Sequence, residues 1–257
     1  MASWNTRRQF YYFVSILLFF VVVFAVIIYL NWPQPSCTNG KKDDAEVGVD
    51  CGGVCKIACL SQVEPLKVHW VRVFESAPNK YDAVALLENS NAEFGAKTIK
   101  YNFRLYDEMG VMVTSRQGTT YVNPQDTFII YEGNVSTGKR GGVVKAQLDV
   151  TTQPLWEKMS REKPRIVVQQ TEYINEPMPR LRVLVANNSL VDLKNVDFYT
   201  VLSGSDNNVM GASATLLDEL PRDKMREIFF TWPKPLPENP VRIDIYPRLN
   251  LDELKAN

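Results

Sequence analysis

Between Phe10 and Leu30 the chain reads FYYFVSILLFFVVVFAVIIYL, with no charge, no Gly and no Pro. Apart from tyrosine hydroxyls, Ser15 is its one polar side chain. Wound as a helix at about 1.5 Å per residue, such a run reaches roughly 31 Å, the thickness of a bilayer's hydrocarbon core. Surface helices of soluble proteins keep a polar face, and this run has none. It predicts a transmembrane helix in contact with the lipid bilayer from Phe10 to Leu30, and it divides the chain into a short leader and a long body.

The flanks set the expected orientation. Arg7 and Arg8 precede the run, and no Lys or Arg follows it until Lys41. The positive-inside rule then keeps a stub (1–9) in the cytoplasm and places everything beyond the helix (10–31) outside it. Tyr11, Tyr12, Tyr29 and Trp32 lie near the two ends, where interfacial aromatics gather. A cleaved signal peptide carries a shorter apolar region, about 7–15 residues, and a small-x-small cleavage site. YLNWPQPSC offers no such site, so an uncleaved signal anchor in the cell membrane is expected. The chain is balanced in charge, 29 basic against 29 acidic side chains, which gives no reason to expect a nucleic-acid partner.

All four cysteines, Cys37, Cys51, Cys55 and Cys59, fall in a polar stalk (32–62) too short to build a core of its own. An even cysteine count on the exported side predicts two disulfides, whose pairing the spacing leaves open. A zinc site is the competing reading, but such sites favour CxxC pairs and these gaps are thirteen, three and three residues. Reduction is expected to loosen this segment alone. The same loop gathers Asp43, Asp44, Glu46 and Asp50 behind Asn39 and Gly40. Oxygen-rich loops of this kind can hold calcium, and they equally make solvated turns; the pattern does not match an EF-hand loop. No other metal or cofactor is implied.

Beyond Cys59 the periodicity is that of strands. Ile99, Tyr101, Phe103 and Leu105 alternate with Lys100, Asn102, Arg104 and Tyr106. Leu181, Val183 and Val185 alternate with Arg180, Arg182 and Leu184, and Val241, Ile243 and Ile245 repeat the rhythm. Period two with one apolar side predicts sheets buried on one face. Turn residues recur at short intervals, at Asn79, Asn89 to Asn91, Gly110, Asn123-Pro124 and Ser203 to Asn208. The fold class is therefore mainly β, with two tandem Ig-like antiparallel sandwiches at 63–152 and 165–250, a linker at 153–164 and a tail at 251–257. The halves read as copies: Asn89-Ser90 answers Asn188-Ser189, Val111-Met112 answers Val209-Met210, and Pro124-x-Asp126 answers Pro221-x-Asp223. Phe198 is the expected counterpart of Phe103. The linker TTQPLWEKMSREKP suits one or two helical turns with Trp156 tucked against a domain. WPKPLPENP is PPII-like and reads as a crossover between strands.

Two motifs carry resemblances. Phe103-Arg104-Leu105-Tyr106-Asp107 spells F-x-L-Y-D, and with Gly110 and Pro124 it resembles the FxLYD family of Ig-like modules in exported and membrane-anchored bacterial proteins. The likeness covers about residues 66–150. Cys37, Asn39, Gly40, Asp43, Glu46, Val49, Asp50, Cys51, Gly52, Gly53 and Cys55 resemble a DCGG-type cysteine motif of predicted surface proteins. Both imply surface location and structural roles; neither implies a reaction.

Catalytic signatures do not emerge. His69 is the one histidine, and the chain holds no G-x-S-x-G elbow, HExxH, P-loop or G-x-G-x-x-G. Asn134-Val135-Ser136 and Asn187-Asn188-Ser189 are sequons. The sequence thus points to a non-enzymatic, single-pass envelope protein that displays Ig-like modules for binding or scaffolding, with a protein partner outside the membrane. Its alternatives are an accessory subunit of a membrane complex and, behind that, an envelope hydrolase.

Overall fold

The computed structural model describes residues 4–30, 36–138, 141–150, 154–160, 162–175 and 177–254. Trp32 and the prolines that follow it lie outside them. The chain forms two compact units, Met1–Cys55 and Lys56–Asn257.

In the first unit, α1 (Trp4–Leu30) is one helix. Its apolar side chains are bare on every side, from Val23 at 37% exposed to Tyr29 at 79%. Ser15 Oγ donates to the Tyr12 carbonyl at 2.9 Å, so the single hydroxyl of the run is turned back into the helix. This is a helix long and apolar enough to cross a membrane. Beyond Arg8 no charge, Gly or Pro interrupts it, and an apolar solvent is the surrounding that its surface suits.

The second unit is built of β-strands. β1 (Lys67–Ala77), β2 (Lys80–Asn89), β3 (Phe94–Asp107), β4 (Met112–Val122), β5 (Asp126–Ser136) and β6 (Val143–Val150) make a first sandwich. Its sheets run β1-β2-β5 and β4-β3-β6, all antiparallel. β7 (Glu157–Lys158) pairs with the start of β3. β8 (Ile166–Ile174), β9 (Arg180–Asn187), β10 (Leu193–Ser203), β11 (Val209–Leu220), β12 (Met225–Thr231) and β13 (Arg242–Arg248) make a second, with sheets β12-β9-β8 and β11-β10-β13. Taken in chain order, the two sandwiches have the same strand pairing.

Turn chemistry fixes the hairpins. Asn79, between β1 and β2, has φ 60°; Gly110, after β3, has φ 76°; Asn207, after β10, has φ 62°. Gly and Asn are the residues that accept this left-handed region at least cost. The β3 and β10 hairpins carry the same pair of backbone bonds: Asp107 N–H to Val111 O and Gly110 N–H to Asp107 O, against Gly204 N–H to Asn208 O and Asn207 N–H to Gly204 O. Asp107 and Gly204 are therefore equivalent, and the register corrects three sequence matches. Thr200, not Phe198, stands where Phe103 stands; Phe198 takes the place of Tyr101. Val209 answers Met112. The buried asparagine that answers Asn89 is Asn187, since Asn89 Nδ2 caps Phe94 O and Asn123 O just as Asn187 Nδ2 caps Val191 O and Leu220 O.

Three apolar layers hold this unit together. Tyr81, Ala83, Ala85, Leu87, Ile99, Tyr101, Phe103, Leu105 and Phe128 fill the first sandwich. Leu181, Val183, Val185, Val196, Phe198, Leu202, Ile228 and Phe230 fill the second. A third layer lies between the sandwiches: Val84 and Ile129 of the first meet Val201 and Ala212 of the second, with Trp70, Phe74, Tyr131, Tyr199 and Tyr246 packed around them. β2, β5 and β10 are thus buried on both faces. The reason is in their composition: Ala83 to Leu87 and Phe128 to Tyr131 are continuous apolar runs, the pattern of a strand inside a stack. Two further expectations fail. The segment after Pro154 is extended and joins β3 as β7 instead of forming helical turns, although Trp156 is buried as expected. Val241 precedes β13 and is exposed, while Ile243 and Ile245 pack on the second core.

Thr200 is fully buried, and its Oγ1 has no hydrogen-bond partner among the described residues. A buried, unpaired hydroxyl costs about 1–3 kcal/mol, and valine has the same shape without it. Thr200→Val is expected to raise the urea midpoint with an unchanged m-value; a lower midpoint would show that the hydroxyl is satisfied.

Candidate functional site

The cysteine loop is the place where the sequence gathers ligand-like groups, and the structure assigns most of them to holding the loop. Asp50 Oδ1 accepts from Asn39 N–H and Oδ2 from Gly40 N–H, both at 2.8 Å. Asp43 Oδ2 accepts from Ser36 N–H at 2.9 Å and Asn39 Nδ2 at 3.0 Å. Glu46 is buried, and its Oε2 accepts from Asp43 N–H at 3.3 Å and Asp50 N–H at 3.1 Å. Carboxylates that cap backbone amides are accounted for as turn-makers. Gly53 is needed for the closure: at φ 61° a Cβ there would come within 2.0 Å of the Ala45 carbonyl oxygen.

Cys37 and Cys55 are joined, with Cα atoms 5.6 Å apart. Cys51 and Cys59 are disulfide-bonded as well, and no cysteine is free. Cys37, Cys55 and Glu46 bring their sulfur and oxygen atoms within 4.8 Å of one another, but bonded sulfurs are not the thiolates that zinc requires. Lys56 to Cys59 departs from the expected stalk. Ala58 N–H donates to Trp156 O at 3.0 Å and Lys158 N–H to Lys56 O at 2.7 Å, and Ala58 sits in the first core. Cys59 thus adjoins a segment held at the edge of the first sandwich, so reduction is expected to be felt there as well as in the loop.

The remaining candidates resolve individually. His69 is exposed on β1, and its Nε2 lies 2.8 Å from Glu88 Oε2. The Ser90 hydroxyl, and then His69, hold the Glu88 carboxyl below its ordinary range. Ser90 Oγ donates to Glu88 Oε1 at 2.8 Å, on the carboxylate and not on the imidazole, so the three do not line up as nucleophile, base and orienting acid. Tyr106 lies on the outer face of β3, and Asp107 Oδ1 accepts from Val111 N–H at 2.8 Å, closing the hairpin. Of the two sequons, Asn187 is buried with both amide hydrogens committed, whereas Asn134 is exposed with φ 56° at a bulge opposite Asp82. The proline-rich crossover is seated: Trp232 Nε1 donates to Ala212 O at 3.1 Å, and Asn175 binds the Leu236 backbone.

What sequence reading missed is Arg248, the last residue of β13. It is 4% exposed. Its Nη1 donates to Thr120 Oγ1 and to Ile129 O, each at 3.1 Å, and its Nη2 to Tyr121 O at 2.6 Å. The guanidinium carbon lies 4.4 Å from the ring centres of both Tyr121 and Phe128. Every one of these partners belongs to the first sandwich. Asp197 is its register partner on β10; burial raises that carboxyl above its ordinary range, and Arg248 offsets only part of the rise. Asn123 reinforces the junction, donating to Leu249 O at 3.0 Å and accepting from Leu251 N–H at 3.2 Å. Lys163 pairs with the buried Asp126, and Lys97 with Asp252 at 3.2 Å. Beside this junction lies a cleft of about 630 Å³, lined by Tyr121, Asp197, Leu216, Leu249 and Glu253 among others. No motif flags Arg248; the one available signal was an arginine at the end of an apolar strand.

No family model and no curated protein matches the chain. Among solved structures it is similar to the crystal structure of red sea bream transglutaminase, at 11% identity over 72% of this chain and 29% of that one, with a TM-score of 0.24. The chain spans less than a third of that protein's length, and a likeness at this level carries no argument about fold or activity.

Proposed function

We propose that this protein is a single-pass, membrane-anchored display protein, in which α1 holds the chain in the bilayer and the paired sandwiches work outside it as a binding or scaffolding body. The observation that carries the reading is the pairing of a helix bare of polar surface with a β-body whose polar groups are spent on structure. Glu132 binds Tyr101 and Arg116, Asp126 binds Lys163, and Arg248 binds three oxygens of its neighbour. The body is non-enzymatic in this reading, and its partner is another envelope protein. Disulfides suit an oxidising compartment, and Arg7 and Arg8 suit a cytoplasmic leader. The F-x-L-Y-D stretch fits membership of that Ig-like family, with Phe103 and Leu105 inside and Asp107 capping the turn. The matching strand order fits a duplicated module.

Topology is the test. Protease added to intact cells or spheroplasts is expected to cut beyond residue 36 at exposed loops, and thiol alkylation of membranes to find no free cysteine. Full protection of that region, with four alkylatable thiols, would place the body in the cytoplasm and end this reading. If the host carries an oligosaccharyl transferase, any glycan is expected on Asn134 and none on Asn187, since Asn187 has no amide hydrogen to give.

A further inference from the structure

We infer that the first sandwich carries a guanidinium-binding socket, which the chain fills in cis with Arg248, and that the segment from Arg248 to Asp252 is a strap locking the two sandwiches into one body. The inference is independent of which side of the membrane the body occupies.

The socket has the features that recognise a planar, delocalised cation. Two aromatic rings, Tyr121 and Phe128, face the guanidinium at 4.4 Å, well inside the range of about 6 Å over which the ring quadrupole attracts a cation. Three oxygens, Thr120 Oγ1, Ile129 O and Tyr121 O, accept from its two terminal nitrogens. Two of the three are backbone carbonyls, so their positions are set by β4 and β5 and not by side-chain choice. A lysine would offer a point charge to the same place and could not satisfy two rings and three separated acceptors together. Fully burying a charge costs a great deal unless it is hydrogen-bonded, and here one hydroxyl and two carbonyls supply the bonds, with Asp197 opposite in register on β10. The strap continues what the arginine begins. Leu249 and Leu251 are held by Asn123, Leu251 is 2% exposed, and Asp252 reaches Lys97.

The socket and the strap predict different outcomes from a mere loss of packing, and chemical rescue separates them. The full-length protein in detergent, wild type and Arg248→Ala, is followed by amide hydrogen exchange on peptides from β5 and β10, whose interlocking side chains form the layer between the sandwiches. Loss of three bonds to a charged group is expected to speed exchange there by roughly 100-fold or more. Millimolar ethylguanidinium is expected to restore slow exchange in Arg248→Ala, to leave wild type unchanged, and to outdo ethylammonium at the same ionic strength. Unchanged exchange in Arg248→Ala would overturn the lock. Absence of rescue, or equal rescue by ethylammonium, would overturn the guanidinium socket. Should Arg248→Ala fail to fold, Arg248→Lys keeps the stem and the charge; wild-type exchange in that variant would show that the planar fork is not what the site reads.

Discussion

Replacing Phe103 with alanine is expected to lower the stability of the whole Lys56–Asn257 unit, not of the first sandwich alone. Phe103 is fully buried, and its ring meets Tyr101 edge-on at 5.9 Å. Tyr101 in turn lies over Gly118, its partner on β4, where a Cβ would come within 2.3 Å of the phenol oxygen, and its hydroxyl donates to Glu132 at 2.7 Å. Removing the ring leaves a cavity beneath an aromatic that has no room to move. Such truncations cost about 3–5 kcal/mol, against a total stability of about 5–15 kcal/mol for an ordinary domain. The loss is expected to spread because β2 and β5 carry the first core on one face and the inter-sandwich layer on the other. When Leu87 and Phe128 lose their packing, Val84 and Ile129 lose their backing. Hydrogen exchange of the full-length protein in detergent reads this directly: protection in β3 and in β12 is expected to fall by the same factor. A fall confined to the first sandwich, with β9 and β12 unmoved, would mean that the two fold independently.

How far this architecture could be read from the sequence depends on which face of a strand is asked about. The inward side of β3 was plain, because Ile99, Tyr101, Phe103 and Leu105 alternate with polar residues and all four are buried. So was α1, where a run of twenty-one uncharged residues, all but Ser15 apolar or aromatic, admits few surroundings. The third layer was not, because Val84 and Ile129 sit inside the apolar runs Ala83 to Leu87 and Phe128 to Tyr131, and Val201 sits beside Leu202, where nothing local tells one face from the other. Register was read one residue off in places because Asn187 and Asn188 stand side by side, and only the capping of Val191 and Leu220 shows which one is buried. The cysteine pairing stayed open because spacing does not choose among pairings, and Arg248 went unnoticed because an arginine ending a strand is ordinarily solvated. Its meaning comes from β4 and β5, more than a hundred residues earlier, which no local pattern encodes.

The layer between the sandwiches gives the sharpest test of the unit as a single body. Val201 is 1% exposed on β10 and faces Val84, Ile129 and Ala212, while its neighbours Thr200 and Leu202 point to the other side. Val201→Asp places a carboxylate in a layer filled by Val84, Ile129 and Ala212. An uncompensated buried charge costs about 3–5 kcal/mol, unless the group stays protonated. The second core does not touch residue 201, so the expected response is separation of the sandwiches with each still folded. Small-angle scattering of the full-length protein in matched-out detergent is expected to show a larger body, and exchange to show two levels of protection where wild type has one. The pH dependence has a definite sign. Burial raises the pKa of the new carboxyl in the closed form above its value in the open form, so the closed form binds more protons. Closure is then weakest at neutral pH and recovers as the pH falls through the raised pKa. Val201→Asn carries a similar shape without the titration and is expected to show a pH-independent defect. If Val201→Asp leaves scattering and exchange as in wild type at neutral pH, the layer is not closed against water, and the two sandwiches are neighbours without being one unit.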